Sequence, residues 1–244
     1  MRDKDINLVQ KLTRPKIVKI CIILAILFFI PGLLISIILA FSFGGTLIGP
    51  MQYNLWDNYI SDLGSVRFSP TPFILDSIAM ITSILLIPIL LYISEYLKAA
   101  PVRPNKKQTT NLKVSENLAK FFLFVGDIGL FGIGLFSEDR NFPPIRFHEI
   151  FSVVVWGGFA LAALFIGIIS LYKKTFFSQM LAIFMIFGPS IVSIIYTLGY
   201  INEWSFHIFF EWLMLFFIFI WLIFYCLNLI KQLNSEMEIN KTST

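Results

Sequence analysis

Charge is scarce in this chain. Only 14% of its 244 residues are Asp, Glu, Lys or Arg, against about a quarter in an ordinary soluble domain. With 57% apolar residues and a mean hydropathy of +0.80, that scarcity excludes a water-soluble globular fold. Cysteine is nearly absent too, and two residues cannot build a disulfide scaffold or, at positions 21 and 226, a Cys-x-x-Cys redox pair. The two histidines form no His-x-x-x-His element. No phosphate-cradling glycine loop, nucleophile elbow or haem attachment motif is present, so the enzyme classes built on them lack support. No internal repeat is visible, which removes the inverted-repeat signature of many secondary transporters.

What the chain has instead is long apolar runs. Crossing about 30 Å of hydrocarbon takes roughly 20 residues in a helix, and six runs meet that length: Ile17 to Phe43, Thr71 to Leu97, Asn117 to Phe136, His148 to Tyr172, Ser178 to Tyr200 and Phe206 to Ile230. The fold class expected is therefore all-α, one integral membrane bundle of six transmembrane helices spanning 1–244. The first run outlasts the roughly 7 to 15 apolar residues of a signal-peptide core and has no clear cleavage site, so it is read as a retained helix. Pro31 with Gly32, Pro88, and Gly188 with Pro189 fall inside spans and predict bends, because each proline removes a backbone donor.

Basic residues sort to one side of these spans. Arg2, Lys4, Lys11, Arg14, Lys16 and Lys19 surround the start of the first; Lys98, Arg103, Lys106, Lys107, Lys113 and Lys120 flank the second connection; Lys173 and Lys174 occupy the fourth. Arg67, Arg140 and Arg146 are alone on the other side. The positive-inside rule then places both termini in the cytoplasm, in a multi-pass protein of the cell membrane. The net charge of +4 reads as orientation and contact with anionic lipid, not as a nucleic-acid footprint. In that topology Cys21 and Cys226 sit near cytoplasmic ends, where reducing conditions disfavour a bridge and small apolar packing is their expected role. The sequon Asn240, Lys241, Thr242 would lie in a cytoplasmic tail, out of reach of glycosylation.

Between the spans, the polar segment from Ala99 to Glu116 reads as a flexible connection, and the tail after Lys231 as frayed. Gly126, Gly129, Gly132 and Gly134 on the third span, and Gly157, Gly158, Ala162, Ala163 and Gly167 on the fourth, predict close helix packing. Trp56 and Trp204 are placed at the outer interface.

The acids within the spans gather on the side opposite the lysines. A charge at the bilayer centre costs roughly 2.5 to 3.5 kcal/mol even on a lenient scale. Asp127 is the deepest, near the middle of the third span; Asp76 lies just inside the outer end of the second; His148 and Glu149 open the fourth; His207 and Glu211, one helical turn apart, share a face of the sixth. The loops add Asn54, Asp57, Asn58, Ser61 and Asp62 on one side and Glu138, Asp139 and Arg140 on the other. A lidded, outward-facing polar pocket is expected from this set. The competing reading is that terminal charges snorkel into water and Asp127 only fixes packing.

The run Tyr59, Ile60, Ser61, Asp62, Leu63, Gly64 before a span, the run Gly132, Ile133, Gly134, Leu135, Phe136, Ser137, Glu138, Asp139 closing another, and the helix-opening His148 together resemble the prokaryotic membrane family called domain of unknown function 998. More distantly they are similar to eukaryotic autophagy-modulator and GPI-lipid-remodelling membrane proteins. The resemblance covers about Asn54 to Tyr172 and leaves the last two spans outside it. It implies a six-helix membrane protein with Ser61, Asp62, Gly64, Asp139 and His148 as the matched positions, and it brings no established activity.

Three function classes follow. In the first, the pocket binds or modifies an outer-leaflet lipid: His148 acts as acid or base held by Asp62, Asp139 or Glu149, the acids accept from a cationic or hydroxyl-rich headgroup, and Arg140 and Arg146 meet its phosphate. Asp57, Ser61, Asp76, Asp127 and Glu211 complete the ligand set. A metal variant uses His148, His207 and Glu211 on zinc, two imidazoles and an acid. The second class is a proton- or cation-coupled transporter relaying through Asp127, Asp76 and Glu211; the third is a non-catalytic membrane scaffold. Membrane lipids are the implied partners, and nothing specifies self-association.

Overall fold

The structure, a computed structural model, describes residues 7–46, 51–140 and 144–242, with side chains described as far as 235. Arg2 and Lys4 of the basic flank lie outside the described residues. Among those described there is no β-strand, and six helices are long and apolar enough to cross a membrane. A short α1 (Leu8–Leu12) is capped by Asn7, whose side chain accepts from Val9 N, and it precedes the first span. The spans are α2 (Pro15–Phe43), α3 (Phe73–Ala99), α4 (Thr110–Leu135), α5 (Phe147–Tyr172), α6 (Gln179–Ile201) and α7 (His207–Thr242).

Local chemistry explains several boundaries. Pro15 opens α2 at a position where its missing N–H costs nothing, and Gly44, at φ 65, ends it in the left-handed region that an unsubstituted backbone tolerates. Helix α4 starts earlier than its apolar run because the Thr109 side chain accepts from Leu112 N and caps it. Ser178 does the same for α6 through Leu181 N. The interior prolines at 31, 88 and 189 lie within continuous helices.

Two expectations are corrected here. The segment from Ala99 to Glu116 is not a loose connection: its second half is helix, Val102 bridges Lys173, Arg103 N donates to the Tyr172 carbonyl, and the Arg103 guanidinium donates to the Ser170 carbonyl. Lys173 is the reason it is anchored. Its Nζ lies 2.8 Å from the carbonyls of both Leu97 and Lys98, at the C-terminal end of α3, and 2.9 Å from the Glu116 carboxylate, with both side chains buried. The tail after Lys231 is the second correction: α7 continues through it to Thr242, with Asn234 accepting from Lys19 Nζ at 2.8 Å. The N-terminal part of α2 and the C-terminal part of α7 therefore meet at the same end of the bundle.

The spans pack mostly in chain order. Helix α4 lies closest against α5, as the glycines predict: a Cβ on Gly129 would come within 2.4 Å of Val155 N, and one on Gly158 within 2.4 Å of Gly126 N. Gly134 instead faces α3, Gly167 faces α6, and Gly157 faces open space. Helices α5 to α6 and α6 to α7 follow, and α7 returns to α2 to close the ring. That last contact is the sparsest between ring neighbours. Its aromatic bridge is Phe29 against Phe219, ring centroids 4.9 Å apart and nearly perpendicular.

Cys21 and Cys226 are both free thiols, the second buried. The surface that lipid would cover carries exposed large apolar side chains such as Leu27, Ile38, Ile194 and Phe216.

Candidate functional site

The ring surrounds an elongated, partly open cavity of about 160 Å³ lined by every span except α6. Its two ends differ in chemistry. At the loop-rich end the wall carries Ser61, Asp76, Ser137, His148, Ser152 and Glu211; farther in it is apolar, as at Leu86, Ile218 and Leu222, and it reaches Ala25 and Cys226. From Glu211 to Cys226 along α7 is about 22 Å at 1.5 Å per residue, well over half the thickness of a hydrocarbon layer. The lining contains no lysine or arginine.

The lid over the polar end is built from the 51–72 segment. Asp62 is buried and closes its own turn, accepting from Asn58 Nδ2 at 3.0 Å and Tyr59 N at 2.9 Å, which shapes the 3-10 turn Ser61–Gly64. Gly64 brings this turn close to α3, since a Cβ there would lie 2.8 Å from an Asp76 carboxylate oxygen. The turn is then fastened to α7: Ile60 N donates to Glu211 Oε2 at 2.9 Å, and Trp212 Nε1 donates to the Asn58 carbonyl at 3.1 Å. Tyr53, fully buried, donates to the Tyr59 carbonyl and fixes the lid from behind.

A second turn, Glu138–Arg140, clamps the first. Asp139 accepts from Ser65 Oγ at 2.8 Å and Val66 N at 2.6 Å. The Glu138 carboxyl hydrogen-bonds Asp62, and partial burial followed by the Asp62 charge raises its pKa to about 8, with Asp139 adding and Arg67 opposing. Arg140 turns inward to Asp76, with an Nη2 to Oδ2 ion pair, a 2.9 Å bond to the Gly134 carbonyl and a 3.0 Å bond from Nε to Ser137 Oγ.

On the α5 wall, His148 is buried and its Nδ1 lies 2.8 Å from the Phe136 carbonyl, so that nitrogen carries the proton. Ser152 and Trp156 continue the same face one and two turns on, and Trp156 hydrogen-bonds Glu211. Glu211 is thus held by neutral N–H donors and has no basic partner among the described residues. At the rim, Tyr59 hydroxyl meets His207 Nε2 while His207 Nδ1 donates to the Trp204 carbonyl; burial, then Glu211, pushes the Tyr59 phenol up to about 12.

Of the sequence-stated residues, the structure brings Ser61, Asp76, His148 and Glu211 onto one cavity wall, with Asp62 and Arg140 directly behind it. Others go elsewhere. Asp127 is buried against α3, where Ser83 Oγ donates to its backbone carbonyl, and it does not line the cavity. Asp57 lies exposed in the loop, accepting from Asn54. Arg146 and Glu149 pair with each other at 2.9 Å on the surface. Two of these residues have partners that the sequence does not suggest: Arg140 pairs with Asp76, and Asp139 accepts from Ser65 and Val66 of the first lid turn. The zinc set of His148, His207 and Glu211 does not assemble. Both nitrogens of His207 are committed to Tyr59 and Trp204, and among the described residues no three His, Cys, Asp or Glu side chains gather to hold a metal.

The sequence pattern did not single out Thr82, Ser152 or Trp156 as site residues. The last two had a signal, since 148, 152 and 156 repeat every helical turn on α5. Comparison with known proteins gives no matching family model, no matching curated protein and no matching solved structure.

Proposed function

We propose that this is a multi-pass protein of the cell membrane, its lysine-rich end cytoplasmic, that binds or modifies a lipid drawn from the outer leaflet. The single observation carrying the reading is the polarity gradient of the cavity: carboxylates, hydroxyls and His148 at one end, then mostly apolar side chains along the roughly 22 Å from Glu211 to Cys226. That is the profile of a headgroup followed by a chain. The loosely packed seam between α2 and α7, bridged by Phe29 and Phe219, is the route by which a lipid enters sideways. His148 supplies the imidazole on the wall for proton transfer if the bound lipid is chemically altered. The kinship with the domain of unknown function 998 family remains part of this proposal, resting on the lid run from Tyr59 to Gly64 and on the helix-opening His148.

An ion path is less well supported by the same geometry. Asp127 stands off the cavity, and the inner half of the lining offers Ala25, Leu222 and Ile223 but no acid to pass a cation onward.

The test is native mass spectrometry of protein extracted in mild detergent, with the cavity-filling variants Ala79→Phe and Leu222→Trp alongside. Wild type should retain a lipid at close to one per chain, and folded variants should lose most of it. Equal retention by all three, or no lipid on any, contradicts the reading.

A further inference from the structure

Resting on the lipid reading, the distribution of charge around the cavity specifies the headgroup. We infer that the cavity takes a long-chain lipid whose headgroup is a positively charged amine, seated against Glu211 with its chain running toward Cys226. Three observations converge. Glu211 is 5% exposed, lies on the cavity wall, and accepts from the neutral donors Ile60 N and Trp156, so its carboxyl has no cationic partner among the described residues. A buried charge of that kind calls for an opposite one.

The basic residue nearest the wall already has an anion, since Arg140 pairs with Asp76 and donates to Ser137 Oγ and the Gly134 carbonyl. With Arg140 and Asp76 cancelling, and no lysine or arginine in the lining, the net charge facing a headgroup is that of Glu211, deepened by Asp62 behind it. A phosphate or carboxylate would meet the like charge of Glu211 with no lysine or arginine in the lining to offset it. An ammonium would meet Glu211, the hydroxyls of Ser61 and Ser152 as acceptors, and the Trp156 ring on the same wall.

Thr82 supplies an independent sign of a ligand. It is 6% exposed on the cavity wall between the polar and apolar ends, and its Oγ1 is buried with no hydrogen-bond partner. A hydroxyl or carbonyl on the upper part of a bound chain would satisfy it.

The experiment uses full-length protein in nanodiscs of uncharged zwitterionic lipid, empty discs as blanks, and three radiolabelled probes of equal length: hexadecylamine, hexadecanol and palmitate. Wild type should bind the amine roughly tenfold more tightly than palmitate, with hexadecanol between. Glu211→Gln, whose amide oxygen can still accept from Ile60 N, should bring the three together. Asp76→Asn gives a second reading that does not depend on the first variant folding: releasing Arg140 should raise palmitate binding and lower that of the amine. Palmitate binding as tightly as the amine in wild type, or a preference unmoved in both variants, overturns the headgroup inference and leaves the lipid reading standing. Binding of all three probes no greater than to empty discs overturns both.

Discussion

At the scale of single residues, the lid is where protonation and structure are coupled. Glu138 is held beside Asp62, with Asp139 and Arg67 also in its field, and its pKa rises from the ordinary 4.5 to about 8 through partial burial and then the Asp62 charge. Between those values the folded protein keeps a proton that the unfolded chain has released. Its contribution to stability is therefore complete below about pH 4.5 and is lost as pH rises through 8. Thermal unfolding of wild type should weaken from pH 5 to pH 9, whereas Glu138→Gln, an amide standing in for the protonated acid, should show a flatter profile. Parallel profiles would contradict the assignment. Nothing in the sequence marked Glu138 over its neighbour Asp139: both are loop acids, and only the docking of one turn on the other decides which meets Asp62 and which meets Ser65.

The elements themselves were largely legible, because membrane solvation demands long, internally bonded apolar helices and the described residues hold six. Edges set by caps were not. Thr109 begins α4 well before the apolar run, and Lys173, read only as one more positive charge, is a buried tie between α3, α4 and α5. Its contacts with the Leu97 and Lys98 carbonyls satisfy groups that a helix end leaves open. Removing one partner of a buried ion pair costs about 3–5 kcal/mol, so Glu116→Ala should lower the stability of purified protein by that order in denaturant or thermal unfolding. Lys173→Met combined with Glu116→Leu should recover much of it. A neutral Glu116→Ala would mean that the pair is wetter than its burial indicates.

For the molecule as a whole, the asymmetry of charge visible in the sequence became a directional cavity, but only in part through the residues expected to make it. His148 and Glu211 come from α5 and α7, the fourth and sixth spans, and they share one cavity wall because α6 stays out of the lining and Trp156 on α5 reaches Glu211 on α7. Asp127 was the strongest expectation by depth and lies elsewhere, since helical phase, which a single sequence leaves open in an all-apolar span, turns it toward Ser83 on α3. The apolar length of the cavity was equally hidden, for it arises from the sparse contact between α2 and α7 rather than from any motif.

The central claim is that this cavity holds a lipid with its headgroup toward Glu211. Cryo-electron microscopy of the protein in lipid nanodiscs tests it most directly. The account predicts continuous elongated density from the Glu211 and Ser61 end, past Thr82, toward Cys226, with the lid turn from Ser61 to Gly64 closed above it. A cavity filled by its own side chains, or one holding only discrete water-sized peaks, would contradict it.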